Sequence, residues 1–203
     1  MVFVPTNIGI TYTLYGKMFG YMPYFGIQAG IFYTKEGYEF EYNEDRKYTY
    51  TIEGAEKAVM DVIEVPVLSH LHVDFWHFKI IAQIGVFAGY RLSIHRFPGK
   101  TGHVTDQVAH SFLKIDNRFD YGLKGGLGFG LVFDPVEIHI QATYKHSLSS
   151  LYKPDHYSRY FYRFAYPSNI VVSAGVHFQL TKRSGMSKQE LRKQAREIVY
   201  GEK

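Results

Sequence analysis

The chain has 203 residues, 46% apolar and 17% aromatic, enough for one domain or one small barrel and too few for two comfortable domains. The abundance of Tyr and Phe excludes intrinsic disorder, and the lack of any Cys excludes a disulfide scaffold, a thiolate metal site and a Cys nucleophile. The net charge of +4 is lopsided: residues 183–203 hold six basic and three acidic side chains, so that segment carries +3 of it. The basic balance therefore reflects a tail and not a nucleic-acid-binding face, and no nucleic-acid partner is expected.

No apolar run approaches the roughly 18 residues of a transmembrane helix. Period two dominates instead. Ile8, Ile10, Tyr12 and Leu14 alternate with polar or small residues, as do Phe25, Ile27, Ala29, Ile31 and Tyr33. A third strand is centred on Ile63, Val65 and Val67, weakened by Pro66, which lacks a ladder donor. The fourth runs from Phe78 to Leu92, the fifth from Asp120 to Phe133, the sixth from Val136 to Lys145 and the seventh from Ile170 to Leu180. Short turns fall near residues 20–23, 74–76 and 134–135, and long polar connections near 37–58, 96–116 and 148–167. Short turns on one side and long loops on the other are the layout of an outer-membrane barrel.

The two strand faces differ in kind. One carries Ile, Val, Leu, Phe and Ala, with Tyr12, Tyr33, Tyr90, Tyr121 and Tyr144 towards strand ends. The other carries Glu64, Lys79, Gln83, Arg91, Asp120, Lys124, Glu137, His139, Gln141 and Lys145, with several Gly. A soluble lipocalin-like barrel would turn the apolar face inward around a small apolar ligand; a membrane barrel turns it towards lipid. Long strands, aromatics near their ends and Gly on the polar face favour the membrane, because the lumen of a small barrel is cramped. The expected fold is an all-β, antiparallel, up-and-down transmembrane barrel over residues 1–182, followed by a basic amphipathic periplasmic tail over 183–203. Bacterial barrels have even strand numbers, whereas seven strands are visible. An internal start at Met1, with a signal peptide and a first strand upstream, would account for this and complete an eight-stranded barrel.

The order and spacing of several segments resemble the PorT-like outer-membrane β-barrel family of Bacteroidota. They are residues 62–68 (VIEVPVL), 85–90 (GVFAGY), 119–123 (FDYGL) and 126–129 (GLGF), and the final strand with Gly175. The resemblance covers roughly residues 7–182. It implies an eight-stranded barrel in the outer membrane and says little about activity. The namesake's link to type IX secretion and gliding does not carry over to a general member. The first strand is the main departure.

Candidate chemistry follows from the faces. Glu64, Lys79, Arg91, Asp120, Lys124, Glu137, His139 and Lys145 form an expected polar network in the lumen, read as a salt-bridged plug in preference to an ion path, since buried charges need partners. His70, His72, Asp74 and His77 cluster near a turn but match no metal signature, and are read as interfacial histidines. The glycine run 125–130 lacks the features of a phosphate loop. In the loop 152–166, Tyr157, Arg159, Tyr160, Tyr162 and Arg163 interleave rings and cations, a pattern suited to sugars and phosphates such as those of lipopolysaccharide. Gly175, Phe178 and Leu180 resemble the signal read by the barrel-assembly machinery. Residues from Ser187 onward fit a capped amphipathic helix, because Ser187 and Glu190 suit a capping box. That tail could dock an envelope partner or lie on the membrane. The expected partners are outer-membrane lipid, lipopolysaccharide, the assembly machinery and an envelope protein. No cofactor, metal or catalytic arrangement is expected, and the chain is read as a non-enzyme.

Overall fold

The computed structural model describes residues 7–15, 25–39, 55–75, 77–98, 105–133, 135–153 and 166–180. Seven strands form one sheet in chain order: β1 (Asn7–Tyr15), β2 (Phe25–Glu39), β3 (Ala55–Phe75), β4 (Phe78–Pro98), β5 (Phe119–Phe133), β6 (Val136–Ser147) and β7 (Ser168–Phe178). A five-residue helix, α1 (Asp106–His110), lies between β4 and β5. Every neighbouring pair is antiparallel. The sheet is rolled so that Thr11 on the first strand reaches His177 on the last at 3.1 Å. Among the described residues, no ladder joins β1 to β7.

β3 and β4, and β5 and β6, pair up to their adjoining ends, with Phe75 opposite Phe78 and Phe133 opposite Val136. These pairs mark the short-turn end of the sheet. Strands β2, β3 and β4 are longer than apolar alternation alone suggests, because residues 37–39, 55–58 and 96–98 extend the ladder into segments that read as polar connections. Pro66 is tolerated in a central strand. The β2–β3 ladder skips Gly30 and Ile31 beside it and resumes in the same register, Ala29 opposite Val67 and Phe32 opposite Glu64, so the missing donor interrupts the pairing without shifting it.

Along each strand one set of side chains is buried inside the roll and the other stands outside. The outer set is Ile, Val, Leu, Ala and aromatic: Ile10 is 82% exposed, Leu127 68% and Val172 72%. This reverses the lipocalin-like alternative, whose lumen would be lined by those same residues. Tyr33, Tyr90, Phe119, Tyr121 and Tyr144 stand outside towards the long-connection end; Phe75, Phe78, Phe133 and Phe178 stand outside at the short-turn end. Phe78 to Tyr90 covers about 40 Å of strand at about 3.3 Å per residue, or about 30 Å along a membrane normal at a tilt of about 40°, which matches a hydrocarbon core.

Gly on the inner side lets strands and side chains crowd together. A Cβ on Gly122 would sit 2.1 Å from the carbonyl oxygen of His146, and one on Gly85 2.2 Å from that of Val67. Both obstacles are backbone, so neither position accepts a larger residue without parting the strands.

The register of β3 against β4 shifts between Asp61 and Val62: Asp61 faces Ser93, whereas Val62 faces Arg91. Leu92 is the extra residue of a β-bulge. Below it Lys79, Gln83, Phe87 and Arg91 point inward; above it Ile94 and Arg96 do. The bulge thus aims Ile94 at Ala58, Met60 and Val62, and Tyr38, Phe112 and Leu151 pack against that cluster. This small apolar core lies at the long-connection end, over the polar lumen.

Candidate functional site: a filled, charge-balanced lumen

The inward side chains of β2 to β6 build the centre of the molecule. Among the described residues, the buried charged ones are Lys79, Arg91, Arg96, Lys124 and Lys145 against Glu36, Glu64, Asp116, Asp120 and Glu137, five cations and five carboxylates. Lys145, on β6, is the hub. Its Nζ donates to Glu36, lies 2.9 Å from Glu64 and 3.2 Å from Asp120, and sits 4.3 Å from the centre of the Phe87 ring. Lys124 on β5 donates to the other oxygen of Glu64 at 2.6 Å. Asp120 also accepts from the hydroxyls of Ser147 and Ser149 at 3.1 and 2.7 Å, and Arg91, fully buried, stands 3.5 Å from it. Lower in the roll, Lys79 and Glu137 pair at 2.5 Å.

Above the hub a lid closes the long-connection end. Arg96 donates to Asp116 at 2.5 Å and to the Ser111 carbonyl at 2.8 Å, and Asp116 accepts from the backbone of Leu113 at 2.6 Å. Arg91 donates to the Asn117 carbonyl at 2.7 Å. These bonds fasten residues 111–118 over β4. Arg118 lies against the rings of Tyr90 and Phe112, 4.9 and 4.7 Å from their centres. Tyr152 donates to the Tyr38 hydroxyl at 3.0 Å. Burial pushes the Tyr152 phenol well above its ordinary range, and Tyr38 adds to the effect.

Around the Lys79–Glu137 pair, near the short-turn end, the lumen is lined by uncharged hydrogen-bonding groups and histidines. Gln83 donates to Gln28 at 2.8 Å, meets Nδ1 of His70 at 2.9 Å, and Gln28 donates on to Thr13 at 2.9 Å. His139 and His177 meet edge to face with centres 3.8 Å apart.

The structure brings together Glu64, Lys79, Arg91, Asp120, Lys124, Glu137 and Lys145 as ion pairs and places His139 beside His177. Glu36, Arg96 and Asp116 also belong to the network, although apolar alternation did not reveal them. One expectation is corrected. His70 and His72 are not interfacial: they occupy inward positions of β3 and are buried. Tyr152, at the start of the loop 152–166, is buried and fills the lid. On β7, Gly175 faces inward and Phe178 stands outside, as does Leu180 just beyond the strand. Tyr157, Arg159, Tyr160, Tyr162, Arg163 and the tail 183–203 lie outside the described residues. Among the described residues, no group of three or more metal-ligating side chains converges.

An antiparallel meander with an apolar outer belt, aromatics at both ends of it and a polar, ion-paired interior defines a membrane-spanning β-barrel protein. No helix among the described residues is long and apolar enough to cross a membrane; the crossing elements are strands. Residues 6–153 match the outer membrane protein beta-barrel domain family, and the chain belongs to that family and to the bacterial outer membrane. Comparisons with curated proteins and with solved structures returned no match.

Proposed function

We propose that this chain is a PorT-like barrel of the Bacteroidota envelope with a structural or interaction role, its lumen closed and its external connections the contact surface. The observation that carries the reading is the pairing of five buried cations with five buried carboxylates. An eight-stranded barrel has just the width that side chains can fill, and each buried charge of the lumen has a partner of opposite sign. The quoted PorT-like segments fall in order on β3, β4 and β5, which supports the finer family assignment. In this reading the long-connection end faces outward and the short turns face the periplasm. The aromatic and basic loop around residues 157–163 meets lipopolysaccharide or an envelope protein, and the tail meets the periplasmic side. No reaction forms part of the proposal.

The test is conductance in planar bilayers. The barrel inserted at neutral pH is expected to give no stepwise current. Sustained channel openings by the native chain would overturn the closed-lumen reading.

A further inference from the structure

Outside the lumen a pair of histidines meets that neither the plug nor the lid core uses. His95 on β4 and His110 at the end of α1 are both exposed, and Nδ1 of one ring lies 2.9 Å from Nδ1 of the other. The ring centres are 5.0 Å apart and the planes cross at 75°. The fold sets this meeting up. The extra residue at Leu92 turns His95 outward between Ile94 and Arg96, which turn inward. The Ala109 amide closes a turn of α1 on the Thr105 carbonyl, and His110 follows it. Arg96, next to His95, donates to the carbonyl of Ser111, next to His110, at 2.8 Å. That bond pins the two backbones together and holds both rings at the same place.

Two N–H groups cannot face each other at this distance, so at least one of the two nitrogens presents a lone pair. One proton shared between the rings satisfies that geometry, and so does a metal ion that takes both lone pairs. Bonds from imidazole to a metal are about 2.0–2.1 Å, so donors 2.9 Å apart subtend about 90° at the ion. A tetrahedral ion would need donors about 3.3 Å apart. A right angle between neighbouring ligands belongs to tetragonal Cu²⁺ or Ni²⁺, both suited to imidazole. Aiming both lone pairs at such an ion brings the ring centres to about 4.5 Å, a small swing for exposed side chains. The Asp61 carboxylate, on the same outer face, interacts with His95 and with Lys35 and adds negative charge beside the pair. Among the described residues no third ligating side chain converges, so water fills the other positions and the ion exchanges readily.

We propose that His95 and His110 form a two-histidine site for a divalent transition-metal ion, Cu²⁺ or Ni²⁺, which clamps α1 to the outer face of β4. Arg96 fastens the lid from inside the roll, and the ion fastens it from outside. The site loads from water and does not depend on whether the lumen conducts.

The untagged chain, folded in lipid vesicles at about pH 7.5, above the ordinary imidazole value near 6.5, is titrated with Cu²⁺ by calorimetry. One equivalent is expected to bind more tightly than the remaining histidines bind, with an electron paramagnetic resonance spectrum of two coordinated nitrogens. His95→Gln and His110→Gln are each expected to weaken that equivalent at least about tenfold, because a chelate has lost one of its two linked ligands. His146→Gln, at a partly exposed ring on β6, is expected to leave it unchanged. With free Cu²⁺ at about ten times the dissociation constant, opening of α1 should fall about tenfold, read as slower amide exchange across residues 106–110. Mobility on unheated gels confirms that each variant is folded. A native chain without the tight equivalent, or a double variant that binds it as tightly, would overturn the site. Binding that depends on both histidines but leaves exchange in α1 unchanged would overturn the clamp.

Discussion

Lys145→Met is the most demanding test of the lumen. The lysine is 3% exposed and serves three carboxylates. Its removal does not strand all three. Glu64 keeps Lys124 at 2.6 Å, and Asp120 keeps Arg91 at 3.5 Å together with two serine hydroxyls. Among the described residues Glu36 has no other ion pair, and its second oxygen is already buried without a hydrogen bond. The uncompensated charge therefore falls on Glu36. Breaking a buried pair by removing one partner costs about 3–5 kcal/mol, or about two to four orders of magnitude in the unfolding equilibrium. Urea titration of the barrel in lipid vesicles, followed by circular dichroism and by mobility on unheated gels, reads this directly. Adding Glu36→Gln to Lys145→Met should recover most of the loss, because the surplus charge is then gone; the coupling is the quantity a double-mutant cycle isolates. Lys57→Met, which removes a partly exposed cation 5.8 Å from the Phe97 ring, should change stability by no more than about 0.5 kcal/mol. A cost below about 1 kcal/mol for Lys145→Met, or no recovery on adding Glu36→Gln, would refute the argument that this lysine compensates Glu36.

Leu127→Arg places a cation on the lipid side and should cost about 2–4 kcal/mol if it lies near the midplane; the same urea titration finding it neutral would contradict the outward assignment of that face. Gly122→Ala drives a methyl group against the His146 carbonyl, so the β5–β6 hairpin should fail to close and the unheated gel band should lose its folded mobility. Gly130→Ala, whose nearest obstacle is 3.5 Å away, should keep it. The raised Tyr152 ionisation makes a linkage prediction. The folded chain holds this proton more tightly than the unfolded chain, so the contribution is present below the unfolded value near 10 and is lost as pH rises beyond it. Tyr152→Phe should therefore flatten the alkaline limb of stability against pH, and an unchanged limb would show that the buried phenol does not cause it.

The faces of the sheet were legible because lipid imposes a strict period of two wherever a strand crosses it. Glu36 was not, because the apolar signal ends at Tyr33: Thr34 and Glu36 turn inward while Lys35 and Glu39 turn outward, and neither face is then apolar. A signal for it did exist. The seven charged lumen residues read from alternation comprise Lys79, Arg91, Lys124 and Lys145 against Glu64, Asp120 and Glu137, one carboxylate too few for a buried set. That deficit points to a further acid on a neighbouring strand, and Glu36 fills it. Asp116 lies in a connection, where no alternation applies, and Arg96 was hidden for another reason. The bulge at Leu92 moves the inward positions of β4 from odd to even numbers, which no fixed period detects. The bonds from Gln83 through Gln28 to Thr13 depend on amide orientation, which alternation does not encode.

The bulge also explains how one set of strands serves two solvents. β3 and β4 have 21 residues each, about ten more than a strand needs to cross a bilayer. Within the membrane lipid covers the outer face, so apolar residues belong outside and ion pairs inside. Beyond it water covers the outer face and the requirement inverts. β3 meets the inversion by chemistry alone: Glu64 gives way to Val62, Met60 and Ala58 on the same inward side, while Asp61 and Lys57 take the outer side. β4 lacks that arrangement, since an uninterrupted register would send Ser93 and His95 inward and leave Ile94 outside. Leu92 as an extra residue corrects the parity. It leaves Ser93 bonded to Asp61 at 2.5 Å on the outer face and delivers Ile94 to the small core and Arg96 to Asp116. The fastening of the lid above the charged plug is therefore a product of this irregularity, placed where the wall passes from lipid into water.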